Sequence, residues 1–497
     1  MSISTAVDIS AVARVVGIAT KFVNLQGGIF FLPQRLALVG QGSTTAVYDT
    51  TKRQITSASE AGSIYGYGSP IHLATQQLLP ANGDGIGTIP LTIYPLEDDE
   101  SGVAATGDIT PSGTQTEAAA YRVVINNIQS DQFVITTSDT VATIVTKITE
   151  VINSNLDMPV VAVDNTTDVQ LTAKWKGETG NDIYVKIDGS TTAGTTFAIS
   201  QLLGGLVNPD VDDALVQVGN IWESMFLNCM NWDDTDTLDK FSIFGEGRWG
   251  ALTRKPMMSF VGNVETDVTT ATTVTDARKT DRTNVQLVAP GSKDLPFVVA
   301  ARELARIIKV ANNNPARDYG SQKATNLTPG TDEEQWDYVQ RNLAVTKGSS
   351  TVEVKDGVVE VSDTVTMYHP TGEPVPAYRY VCDIVKLQNI IFNYDLTFAN
   401  DEWDGAPLIP DNQATVNPEA KKPKMAIAAL GAVIDSLGLN ALISDPKTAK
   451  ENTLAEISAV NPKRLDIAST VQLSGNTNII SVDLNFGFFF GTPTVVA

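Results

Sequence analysis

Two cysteines and two histidines are all that the 497 residues contain. Cys229 and Cys382 cannot build a disulfide framework or a cysteine-rich zinc site. Their expected state is reduced and buried, as in a chain that folds in a cytoplasm. A histidine metal site or a Ser-His-Asp triad would have to use His72 or His369, and neither has a second histidine at ligand spacing. Positive charge is also scarce. Lys and Arg number 35 against 57 Asp and Glu, a formal charge of −22. That argues against a chain whose main task is gripping nucleic acid, because neutralising phosphate needs Lys and Arg. No run of about 18 apolar residues occurs; the nearest, Met425 to Ile443, is broken by Asp435, Ser436 and Asn440. The N-terminal stretch lacks the basic start and continuous apolar core of a signal peptide, and no P-loop pattern is present.

Hydrophobic residues make up 42% and charged residues 19%, enough apolar content for several packed cores. At about 150 residues per domain the length suggests roughly three domains. Residues 1–30 are β-branched and small, with Gly17, Gly27 and Gly28 as turn residues, and read as an extended arm. RLALVGQG (Arg35 to Gly42) reads as a buried strand. Thr56 or Ser57 before Glu60 has the spacing of a capping box, and Ser69-Pro70 is a second helix start. TIPLTIYPL (Thr88 to Leu96) is a second strand, so the order predicts an α/β core.

After the acidic linker Glu97 to Gly102, residues 104–199 read as a small inserted β-rich domain. It has one helix, DTVATIVTKITEVINSN, which Asp139 would cap. The α/β pattern resumes over 200–366, with Phe241–Phe244 and Lys255–Gly262 as strands, Pro296 to Val310 as an amphipathic helix, and a hairpin around Asp356-Gly357. The segment 264–283 suits helix or loop. Residues 367–474 form a C-terminal domain with helices at Ala377–Phe398 and Pro423–Ala441. Residues 475–497 form a C-terminal arm. The fold class expected is thus α/β (α+β) and multi-domain.

Chemistry is thin. Gly245-x-Gly247-x-x-Gly250 matches a dinucleotide fingerprint, but Glu246 puts negative charge where phosphate would sit and Trp249 crowds the turn. Asp233, Asp234, Asp236 and Asp239 lack the glycine of a calcium loop and suit helix capping or a solvated face. Catalytic, cofactor and metal residues are therefore expected to be absent. Lys421, Lys422 and Lys424 form the one dense basic cluster, placed just before a helix. The C-terminal stretch is the most informative. Ile480, Val482, Leu484, Phe486, Phe488 and Phe490 alternate with Ser481, Asp483, Asn485, Gly487 and Phe489. That is the period of a β-strand with one apolar face. Burying six such side chains at about 1.5–3 kcal/mol each is worth at most about 9–18 kcal/mol. A strand like this must be paired, within its own subunit or on a neighbour.

Several segments in this order carry a family resemblance. LALVGQG…ITSASEAGSIYGYGSPIH, SGTQTEAAAYRVVINNI through LTAKWKGETGNDI, NNNPARDYGSQ and KGSSTVEVKDGVVEVSDTVTMYHPTG together make the chain resemble the tail sheath proteins of contractile-tailed bacteriophages, closest to the Mu-like group. The resemblance implies an α/β sheath core, an inserted outer β-rich domain and extended N- and C-terminal β-arms. It also implies six-membered rings stacked helically around a tail tube. Neighbours would be joined by arm strands bearing Val12, Val16, Ile18, Ile480, Val482, Leu484, Phe486, Phe488 and Phe490, with Gly27, Gly28 and Gly475 as arm hinges. Lys421, Lys422 and Lys424 would be candidates to face the tube.

Contraction would drive the tube through the host envelope for genome delivery, with no enzyme activity and no cofactor. The partners implied are the chain itself, the tube protein, and baseplate and tail terminator proteins. No direct nucleic-acid contact and no membrane insertion are implied. The location implied is the virion tail, after assembly in the host bacterial cytoplasm. The alternatives are a sheath subunit of a bacteriocin or secretion particle, a nucleotide-binding α/β enzyme, and an unrelated capsid or tail-tube protein.

Overall fold

A computed structural model describes residues 30–373 and 377–488. Val12, Val16, Ile18, Gly27, Gly28 and Phe490 lie outside the described residues.

The chain enters its core on β1 (Leu36–Gln41), buried along its whole length. Next come β2 (Arg53–Ile55), α1 (Ala58–Tyr65), α2 (Pro70–Leu78) and β3 (Leu91–Leu96). Both helix starts form as the side chains dictate. The Ser57 hydroxyl accepts from the Glu60 N–H, while the Glu60 carboxylate accepts from the Thr56 N–H at 3.0 Å. Ser69 caps α2, with Pro70 in its first turn.

The strands β4 (Thr106–Gly113), β5 (Ala119–Ile125), β6 (Ile128–Gln129) and β7 (Phe133–Ile135) follow, then α3 (Val141–Ser154). The insertion closes with β8 (Val160–Asp164), β9 (Val169–Ala173), β10 (Val185–Gly189) and β11 (Thr195–Leu203). They make two sheets, β10-β5-β6 with β7 also on β5, and β11-β4-β9-β8. The helix α3 buries Ile144, Val145, Ile148 and Ile152. Its cap is Thr140, not the expected Asp139. The Asp139 carboxylate instead accepts from the Thr136 N–H and from Lys147, because the start of the helix falls one residue later.

The core then resumes with α4 (Asp212–Val218), β12 (Met225–Asn228), α5 (Thr235–Arg248) and β13 (Met258–Asn263). The short helices α6 (Val268–Ala271) and α7 (Thr273–Ala277) occupy the ambiguous 264–283 segment. Next are β14 (Asn284–Val288), α8 (Pro296–Asn313), α9 (Tyr338–Thr346), the hairpin β15 (Thr351–Lys355) and β16 (Val358–Asp363), and α10 (Val381–Phe398). The core sheet has six strands in the order β14-β13-β12-β1-β3-β2. All its pairs are parallel except the edge pair of β2 with β3. A parallel sheet is covered on both faces, and β1, β3, β12, β13 and β14 are accordingly buried at every position.

Phe241–Phe244, read as a strand from its apolar run, lies in the middle of α5. Asp234 accepts from the Thr237 N–H and starts the helix there. Phe241 and Phe244 then sit three apart on one face, both against Phe226 of β12.

Close backbone approach makes glycine obligatory at Gly262 in β13. A Cβ there would collide with the Pro296 carbonyl at the start of α8. Gly262→Ala should therefore cost about 1–3 kcal/mol, read as a lowered urea midpoint with unchanged slope.

The fold divides into two compact units, one of residues 31–392 with the segment from Leu473, the other including Asn393–Gln472. One continuous apolar core runs from Leu36 of the core sheet to Ile109 and Val145 of the insertion. The expected boundary at 366/367 falls inside the first unit. There the Met367 N–H donates to the Asn284 carbonyl and the His369 N–H to the Lys279 carbonyl, tying this segment to the start of β14. The second unit contains α11 (Pro423–Leu439), β17 (Ile443–Ser444), α12 (Pro446–Glu451), β18 (Leu454–Ile457) and β19 (Leu465–Ala468). Ala426, Leu430, Ile434 and Leu437 of α11 are buried.

Candidate assembly surface

The glycine fingerprint offers no phosphate cradle. Gly245 and Gly247 lie within the last turn of α5. A phosphate cradle needs free N–H groups at a helix N-terminus, and these are at the opposite end. Gly245 serves packing instead, since a Cβ there would strike the Thr283 side chain. The carboxyl end of β1, where an open α/β sheet of this kind holds ligands, meets the acidic linker and the insertion. Gln41 Nε2 donates to Asp98 Oδ1 at 2.6 Å and to the Lys176 carbonyl at 2.8 Å. The Thr44 N–H donates to the Lys174 carbonyl at 2.8 Å.

Among the described residues there is no group of three or more His, Cys, Asp or Glu able to hold a metal. No described helix is long and apolar enough to cross a membrane. Cys229 and Cys382 are free and buried, and burial pushes both thiols up.

The C-terminal tail is different. From Ile480 to Phe488 the chain forms no strand, and Ile480, Val482, Leu484, Phe486 and Phe488 are each 78–84% exposed. The apolar face expected to be buried therefore finds no cover among the described residues. Gly475 is exposed, and a Cβ added to it would meet nothing.

The second unit carries the complementary feature. The strands β18 and β19 form a sheet of two strands only, in antiparallel register from Leu454↔Ala468 to Ile457↔Leu465. No further strand lies on either outer edge among the described residues. A lone two-stranded sheet is marginally stable in water and offers unpaired N–H and C=O groups. Glu456 faces Asp466 across it, a like-charge pair that weakens it further. The edge of the insertion at β8 is treated in the opposite way. Asn153 of α3 accepts from the Ala162 N–H at 3.0 Å and donates to the Ala162 carbonyl at 2.8 Å. That side chain occupies the bonds an added strand would use.

A relative, the Mu-like prophage FluMu tail sheath protein of Haemophilus influenzae, is 25% identical over 449 residues, covering 87% of this chain and 88% of that protein. The chain is similar to this Mu-like tail sheath protein over most of its length. No family model matches it. Among solved structures, the sheath tail protein of Listeria innocua aligns with a TM-score of 0.49 at 13% identity, over 91% of this chain and 94% of its own. That of Desulfitobacterium hafniense aligns with a TM-score of 0.47 at 12% identity, over 92% and 100%.

The three lysines proposed to face a tube are not equivalent. The Lys421 side chain is 5% exposed and paired with Glu402, with its ammonium 5.4 Å from the Trp403 ring centroid. Lys422 donates to the Gln413 carbonyl at 2.5 Å. Lys424 is exposed. Sequence reading missed the β18–β19 hairpin. Its signal was the short alternation in LAEI and LDIA around Asn461-Pro462, obscured by brevity and by acidic residues within both strands. It also missed Lys386, which packing alone makes significant.

Proposed function

We propose that this sheath subunit polymerises as stacked six-membered rings around a tail tube, and that contraction of the polymer drives the tube through the host envelope for genome delivery. Its role is mechanical and uses no cofactor. It works as a virion tail component assembled in the host cytoplasm, contacting itself, the tube protein, and baseplate and terminator proteins. The C-terminal arm adds as a strand to the β18–β19 sheet of a neighbouring subunit. Residues 1–30, with Val12, Val16 and Ile18 as their apolar positions, act as the second exchanged arm. Gly27, Gly28 and Gly475 are the points where the arms turn as the bodies rotate. Lys422 and Lys424 are the candidates for tube contact.

One observation carries this reading. Five apolar side chains at strand spacing stand in water while a two-stranded sheet in the same chain has open edges. Burying those five would contribute about 7–15 kcal/mol at most. Main-chain bonds between subunits would let the mesh stay connected while the bodies rearrange.

A chain ending at Asn478 tests it. The truncated subunit should be folded, monomeric and as heat-stable as the full chain, and should form no sheath by sedimentation or negative-stain microscopy. Normal sheath from that truncation would remove strand exchange from the mechanism.

A further inference from the structure

The root of the C-terminal arm is bound where its own side chains offer no apolar surface. Ser474, Gly475, Asn476, Thr477 and Asn478 are all small or polar, so no hydrophobic burial can hold this stretch. What meets it is the ammonium of Lys386 on α10, whose side chain is 0% exposed. An ammonium has three N–H donors, and all three are used. They go to Asp383 Oδ1 at 2.9 Å, the Ser474 carbonyl at 2.6 Å and Asn476 Oδ1 at 2.6 Å. Asn476 is held from its other side, with Nδ2 donating to the Ala316 carbonyl at 2.9 Å. Asn478 makes a last bond to the Asp318 carboxyl. From Ile479 to Phe488 the side chains stand exposed.

We propose that Lys386 and Asn476 form a clamp that sets the point from which the C-terminal arm leaves the body, and so sets the reach and register of the strand it donates. The inference rests on the strand-exchange reading above. Its physical content is the parity of the arm. A slip of one residue in a β-ladder turns the whole apolar face to the other side. A strand that begins at a loose root can be met in several registers by its acceptor; one that begins at a fixed root cannot. The fixed root also confines the arm. The residues from Asn476 to Phe488 span at most about 45 Å, so the tip stays at high local concentration around one neighbour. A buried ammonium suits this task, because charge-assisted bonds are strong and directional and a departing arm would strand the charge.

The test uses full-length Asn476→Ala and Lys386→Met beside the chain ending at Asn478. Hydrogen exchange at 474–478 should quicken about tenfold or more in free subunits of both variants. The concentration needed for polymerisation should rise about tenfold, and the sheaths formed should be irregular. Asn476→Ala changes a partly exposed residue and decides the matter should Lys386→Met not fold. Unchanged exchange at 474–478 overturns the clamp, and so does faster exchange with unchanged assembly while the chain ending at Asn478 fails to assemble. Polymerisation of the chain ending at Asn478 overturns strand exchange itself.

Discussion

Leu484→Asp combined with Phe486→Asp should abolish polymerisation while leaving the melting temperature of the free subunit where it was. Both side chains are more than four-fifths exposed in the isolated chain, so they stabilise nothing there. On a neighbour they would lie on the face that packs. Losing two such burials removes about 3–6 kcal/mol per junction, and burying a carboxylate in their place costs more. A factor above about a hundred in each contact is enough to stop growth. The paired control is Ser481→Asp with Asn485→Asp, which adds the same charge on the opposite parity and should assemble. Differential scanning fluorimetry gives the first readout, sedimentation and negative-stain microscopy the second. Equal loss in both double variants would mean that charge, not a one-faced strand, decides assembly.

Glu303→Gln should flatten the pH dependence of the free subunit's stability. Glu303 lies in α8 at 0% exposure, and neither of its carboxyl oxygens has a hydrogen-bond partner. Burial pushes its pKa up to about 8 from an ordinary 4.5. The folded state therefore holds a proton that the unfolded chain releases above about pH 4.5. The stability linked to that proton is complete below the unfolded pKa and is lost as pH rises through the folded one. A shift of this size corresponds to a ceiling of about 5 kcal/mol between pH 4 and pH 9. Asp182 acts in the same direction, since burial, with Asp233 adding to it, raises its pKa to about 7.

Asp84 acts in the reverse sense. Its bond from Arg306, with further ones from Thr325 and Arg302, holds its carboxyl well below the usual range. Its contribution is lost only under strongly acidic conditions. Urea unfolding of the free subunit should accordingly give its highest stability near pH 5 and a decline toward pH 8. Glu303→Gln should lose most of that decline. An unaltered slope in the variant would show that Glu303 is not the group responsible.

Local chemistry was readable wherever a few neighbouring residues settle the outcome. Ser57 and Ser69 announced two helix starts, Asp356-Gly357 a hairpin, and Lys255–Gly262 a strand. The alternation from Ile480 was visible for the same reason, because strand period is a property of consecutive residues. Phe241–Phe244 failed because three apolar residues in four fit a buried strand and a helix face equally well. The Asp234 cap, seven residues earlier, decides between them. Lys386 was invisible for another reason. Its partners Ser474 and Asn476 are about ninety positions away, and nothing in either segment announces the other.

By itself the sequence determined the helix starts, the hairpin, the acidic balance, the scarcity of Cys and His and the one-faced character of the tail. Only the tertiary structure decided that the tail's root is pinned by a buried ammonium and that, among the described residues, the tail's apolar face finds no cover and the β18–β19 sheet stops at two strands. The reason is that periodicity and capping are short-range sums over neighbouring residues. Which surface covers which is set by close packing between segments far apart in the chain.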